Sequence, residues 1–211
     1  MRYTEHMVSE PASVPASVPA RERILNAATV LFHRQGISAT AVDQILAESG
    51  TGKGQFYHYF DGKRAVVNAV ADRHAAEKIE QLQTHLQREP GIAGVEGWLA
   101  EVLDQSVNDG LVGGCPMASM AAEVGETDPV LREKLAMAFD GQLALLADAL
   151  RVERESGQLM ESADPDVVAM RVLTSLQGGL LLAATMKEPA LLEEAVAAGM
   201  RELGAVRIER T

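Results

Sequence analysis

Apolar residues recur along most of the chain at intervals of three and four, and glycines, prolines and acid–proline pairs interrupt them repeatedly. The first twenty residues carry no such stripe. Pro11, Pro15 and Pro19 alternate there with Ala, Ser and Val, so 1–20 reads as a disordered tail, with Ser17 as the N-cap of the following helix and Pro19 in its first turn. Ile24, Ala27, Ala28, Leu31 and Phe32 then make one face of a helix predicted over 21–35 and ended by Gly36. A second helix is predicted over 42–49, capped by Thr40 with Asp43 three residues on. Gly50-Thr51-Gly52 breaks it, a two-turn helix over 53–60 follows, and Asp61-Gly62 separates that from a long helix over 63–88.

Beyond Glu89-Pro90-Gly91 the pattern predicts helices over 92–108, 116–125, 129–156, 165–186 and 189–206. Pro116, Asp128-Pro129, Asp164-Pro165 and Glu188-Pro189 supply the starts, and 110–114 is a glycine-rich loop. No internal repeat and no convincing strand stand out. The expectation is an all-α chain of about nine helices.

Composition agrees. Hydrophobic residues make up 47% and aromatics only 4%, with Ala, Leu, Val and Met abundant. The longest apolar run, around 180–186, falls well short of the roughly 20 residues of a bilayer span, and no secretory signal is visible, so a cytoplasmic location and no membrane partner are expected. A single cysteine, Cys115, leaves neither a disulfide framework nor a multi-cysteine zinc site. No metal, no cofactor and no catalytic residue are expected.

The net charge of −11 argues against a nucleic-acid binder when taken whole, but it is unevenly spread. Residues 21–64 carry six Lys/Arg against four acids, which leaves that window about +2 and the rest of the chain about −13. Within the window, three helices joined by tight breaks form a helix-turn-helix pattern. Phe56, Tyr59 and Phe60 are placed to pack inward on Leu31, Phe32, Val42 and Ile45, leaving Gln55 and His58 on the outer face of the third helix. Such a helix, with polar side chains outward, fits a major groove. The small residues Thr51 and Gly52 let backbone amides approach a phosphate, and Lys53 adds a cation there.

The run from Gly36-Ile37 through Thr40-Ala41-Val42-Asp43-Gln44-Ile45, then from Gly50 to Lys63, resembles the DNA-binding domain of the TetR/AcrR family of repressors. The resemblance implies a domain division: a helix-turn-helix domain over 21–66, and a ligand-binding and dimerisation domain over 67–211. It implies that Thr40 caps the second helix and touches a phosphate, that Lys53, Tyr57 and Lys63 contact the DNA backbone, and that Gln55 and His58 face bases. Three positions depart from the family pattern. Gly52 stands where Ser or Thr is common, Gly62 where Ser is frequent, and Arg64 where an acid is usual. The Gly114-Cys115-Pro116 segment resembles one found before the sixth helix in a subset of the family. The last two long helices resemble those of the family's dimeric four-helix bundle, with Val172, Ser175, Leu176, Gly179, Leu180 and Ala183 as the contact face and Leu192, Ala195, Val196 and Gly199 beside it.

The expected function is therefore a DNA-binding transcriptional regulator, a repressor released from double-stranded operator DNA by an apolar or aromatic small molecule and acting as a homodimer. Trp98, Cys115, Met117, Met120, Phe139 and Gln177 are the candidate ligand-pocket residues. Two other readings compete: a helical dimerisation or adaptor protein that no longer binds DNA, and an enzyme using Cys115 as nucleophile with His74 or His85 as base.

Overall fold

A computed structural model describes residues 18–124 and 126–208. Most of the predicted tail, with Ser17, lies outside them, as does Gly125. The described residues form α1 (Ala20–Gln35), α2 (Val42–Ser49), α3 (Lys53–Tyr59), α4 (Lys63–Arg88), α5 (Ile92–Asn108), α6 (Pro116–Val124), α7 (Pro129–Glu155), α8 (Pro165–Met186) and α9 (Pro189–Val206). Extended structure among them is limited to one isolated bridge between Leu159 and Arg207.

Local chemistry accounts for most boundaries. Asp128 and Asp164 cap α7 and α8 by accepting from the backbone N–H of Leu131 (3.1 Å) and Asp166 (3.0 Å), each with a proline in the first turn. Gly50 ends α2 in the left-handed conformation, at φ 61° and ψ 33°. The cap of α2 differs from expectation. It is Ala41, whose N–H donates to Gln44 Oε1 at 2.7 Å. Thr40 is one residue too early and is already committed, its hydroxyl donating to Gly36 O at 2.7 Å.

One continuous apolar core runs from Ile24 in α1 to Leu203 in α9. The head, α1 to α3, closes around Ile24, Phe32, Ile45 and Phe56. Helix α4 leaves the head and packs on α5 and α7, while α7, α8 and α9 lie side by side. The division expected at 66/67 falls inside α4. By length and by a mean hydropathy of 1.6 over an 18-residue window, α8 is long and apolar enough to cross a membrane, although it holds no uninterrupted apolar run of that length. Its inner face is spent on α7 and α9.

Candidate nucleic-acid interface and sensor cavity

The α3 helix rests on α1 through Phe56 and Phe60, both buried and 5.9 Å apart between ring centroids. Its opposite face is free: Gln55 and His58 are exposed, as their spacing requires. Tyr59, expected to turn inward, is 43% exposed and stacks edge-on against His58. The inward line of this seven-residue helix is filled by Phe56, and Phe60, its extended C-cap, continues it.

Around this face the predicted contact residues fall into two groups. Gly52, Lys53 and Tyr57 are exposed, Tyr57 at 57%, and Lys63 is half-buried with its ammonium donating to Ser38 O at 3.3 Å. Lys53 pairs with Asp43 at 3.5 Å, and the N–H of Gly52 donates to Gln55 Oε1 at 3.4 Å. Thr40 and Thr51 are buried instead. The Thr40 hydroxyl also accepts from Gln35 Nε2, and that of Thr51 pairs with Ser49 Oγ at 2.7 Å. Their hydroxyls therefore hold the turns of the head together.

Two contacts that sequence reasoning did not find tie the head to the larger domain. Glu123, at the end of α6, accepts from the backbone N–H of Ile37 (2.8 Å) and Ser38 (2.6 Å) in the α1–α2 loop. Burial pushes its carboxyl up, but these donors outweigh that and hold it below the usual glutamate range. Gly36 permits the approach: its φ is +85°, and a Cβ there would sit 3.1 Å from Glu123 Oε1. Arg64, the departure from the family pattern, donates to Asp128 Oδ1 at 2.8 Å, at the cap of α7.

A partly open cavity of about 280 Å³ lies between α5, α6, α7 and α8, lined also by His33 of α1, Lys78 of α4 and Leu192 of α9. Of the six candidate pocket residues, Trp98, Cys115, Met117 and Gln177 line it. Phe139 lies elsewhere, in an open apolar groove of about 800 Å³ between α6, α7 and α8 that Cys115 and Gln177 also border. Met120 borders neither; it faces a small hollow shared with His33 and Glu123 beneath the head. Gln142 lines the cavity too, and the sequence held a signal for it: a glutamine in line with Ala138 and Leu146 on the buried stripe of α7. The 110–114 loop is pinned beside the cavity by Lys187, whose ammonium donates to Leu111 O at 2.8 Å. Neither space bordered by Cys115 includes His74 or His85; His74 pairs with Glu77 at 3.2 Å, and His85 with Glu101.

The face expected to join two copies lies inside one chain. Val172, Leu176, Gly179, Leu180 and Ala183 are buried, and Ser175 Oγ donates to Ala195 O at 3.0 Å across the α8–α9 seam. A Cβ on Gly179 would sit 2.4 Å from the Ala195 side chain, so the small residues serve contact between α8 and α9 of the same chain. The exposed face of α8 is instead Val167, Met170, Thr174, Gly178, Leu181 and Thr185, a stripe at helical spacing that is apolar for much of its length.

A helix-turn-helix head on a helical sensor body defines a class of regulator, and comparison with known proteins places the chain in it. Residues 24–70 match the model of bacterial regulatory proteins of the tetR family, and residues 91–199 match the tetracyclin repressor-like C-terminal domain. The HTH-type transcriptional regulator LmrA of Bacillus subtilis is 31% identical over 80% of this chain and 88% of its own length. The HTH-type transcriptional repressor NemR of Escherichia coli K12 is 29% identical over 69% of this chain and 74% of its own. A TetR transcriptional regulator from Chloroflexus aurantiacus superposes with a TM-score of 0.80 at 25% identity, over 90% of this chain and 97% of that one. The chain belongs to the TetR family and is a DNA-binding transcriptional regulator.

Proposed function

We propose that this regulator is a homodimeric repressor that a small molecule binding the 280 Å³ cavity releases from double-stranded operator DNA. One observation carries the reading. The first turn of α6 (Pro116 and Met117) lines the cavity, and the last turn of the same nine-residue helix carries Glu123, bound to two amides of the reading head. A ligand that repositions α6 pulls on the α1–α2 loop, and it lowers operator affinity to the extent that it prefers the displaced arrangement.

In this reading Gln55 and His58 read base edges and Lys53, Tyr57 and Lys63 contact phosphates; the Gly52 N–H, held by Gln55 Oε1 at 3.4 Å in the free protein, turns to a phosphate when Gln55 engages a base. Thr40 and Thr51 act by shaping the turns, since their hydroxyls are already paired. The second copy covers the outward stripe of α8, with α9 beside it, and the division between reading and sensing units lies along α4. The domain architecture and the regulator relatives support this. The test is a duplex recovered by selection from a random pool with the full chain. Specific, salt-sensitive binding that a cavity ligand weakens is expected. Failure to retain any duplex at low salt would overturn the proposal in favour of an adaptor role.

A further inference from the structure

We infer that the effector is a neutral molecule of about two fused rings carrying both a hydrogen-bond acceptor and a donor, as cyclic amides and hydroxyaryl ketones do. This rests on the ligand-gated reading above and specifies its ligand.

Among the described residues, four buried side-chain polar atoms have no hydrogen-bond partner in the protein, and three of them belong to residues lining the one 280 Å³ cavity: Trp98 Nε1, Gln142 Nε2 and Gln177 Oε1. Trp98 and Gln142 are each only 2% exposed. A buried polar atom left unpaired is costly, so the concentration of three of them in residues around one space marks a site completed by something other than the protein.

The chemistry of the three atoms selects the ligand. An indole N–H can only donate, so the ligand brings an acceptor; a carbonyl oxygen has two lone pairs and can also take the Gln142 amide. Gln177 Oε1 accepts, so the ligand also brings an N–H or O–H. None of these three side chains carries charge. The ionisable residues at the cavity are not buried in it: His33 and Asp109 are exposed, and Lys78 is half-buried, with one of its three N–H groups donated to Gln81 Oε1 at 3.3 Å. An ionised ligand would be desolvated without a buried counter-charge. Size sets the rest. A cavity of roughly 150 Å³ holds benzene, and 280 Å³ gives room for a second ring.

The test titrates the full chain by calorimetry with three probes of similar shape: the lactam 2-quinolinone, naphthalene and 2-naphthoate. The lactam should bind at least about tenfold more tightly than either of the others, and quench Trp98, the only tryptophan. Gln142→Leu and Gln177→Leu should each erase most of that preference while leaving naphthalene binding unchanged or tighter. Gln142→Leu should also melt no lower than the parent, since it removes an unpaired buried amide. Equal affinity for lactam and naphthalene, tighter binding of naphthoate, no lactam binding up to its solubility, or a preference untouched by both leucine substitutions would overturn the assignment. If one variant fails to fold, the other variant and the three-probe comparison in the parent still decide.

The same probes are added to the operator complex. If naphthalene or naphthoate releases the DNA and the lactam does not, gating stands and the ligand class falls. If the lactam binds as expected but the complex is unmoved, the ligand class stands and gating falls.

Discussion

Glu123 Oε1 lies 2.6 Å from the backbone nitrogen of Ser38, 85 residues away, and the second oxygen of the same carboxylate takes the N–H of Ile37. A side chain of the sensor domain thus caps a loop of the reading head. Replacing it by alanine leaves two loop amides without their acceptor. In Glu123→Ala, the amides of Ile37 and Ser38 should exchange faster with solvent at neutral pH. Effector-driven release from DNA should need at least about fivefold more ligand, while calorimetric affinity for the ligand changes little.

The same carboxylate gives a pH dependence with a definite sign. Its folded-state titration lies below the ordinary glutamate value. The stabilisation it contributes is therefore fully present above that ordinary value, and it is lost as pH falls through the depressed one. Hydrogen exchange at Ile37 and Ser38, compared between parent and Glu123→Ala across the acid range, should converge at the low end and diverge toward neutrality.

Binding to DNA separates position from specificity. Lys53→Ala removes an exposed cation at the start of α3 and should weaken binding to all duplexes alike, lowering the salt slope by about 1. His58→Ala should leave the slope unchanged and relax preference at one base position, at a cost of about 1–3 kcal/mol on the selected duplex. Fluorescence anisotropy at several salt concentrations distinguishes them.

Leu181 is 65% exposed in the middle of the outward stripe of α8. Leu181→Glu should shift the chain from dimer to monomer in sedimentation velocity without lowering its helix content. In the proposed homodimer two reading heads meet successive major grooves, so operator affinity should fall with dissociation.

Gly179 tests the seam within the chain. A β-carbon there meets the side chain of Ala195 at 2.4 Å, so Gly179→Val should lower unfolding free energy by about 1–3 kcal/mol in urea melts. A dimer contact at Gly179 would instead show as dissociation with the monomer's stability intact.

The helices themselves were legible from residue order alone. Turn chemistry and apolar period are local, so Gly50, Asp128-Pro129 and Asp164-Pro165 announce their boundaries wherever the chain ends up in space. The outer face of α3 was legible for the same reason, because Phe56 and Phe60 dictate where Gln55 and His58 point. What depended on tertiary structure was every choice between partners far apart in the chain. Periodicity says that Val172, Leu176 and Gly179 share a face; only packing decides that α9 of the same chain takes it and the opposite stripe is left outward. Thr40 is a good cap by type, yet Gly36 claims its hydroxyl. Glu123 reads as one more solvated acid until folding brings the Ile37 and Ser38 amides to it. Gln142 reads as an imperfection in an apolar stripe until it meets Trp98 and Gln177 around a cavity. Hydrogen-bond need and apolar period are written residue by residue, but the partner that satisfies them is set by three-dimensional proximity, which no local pattern encodes.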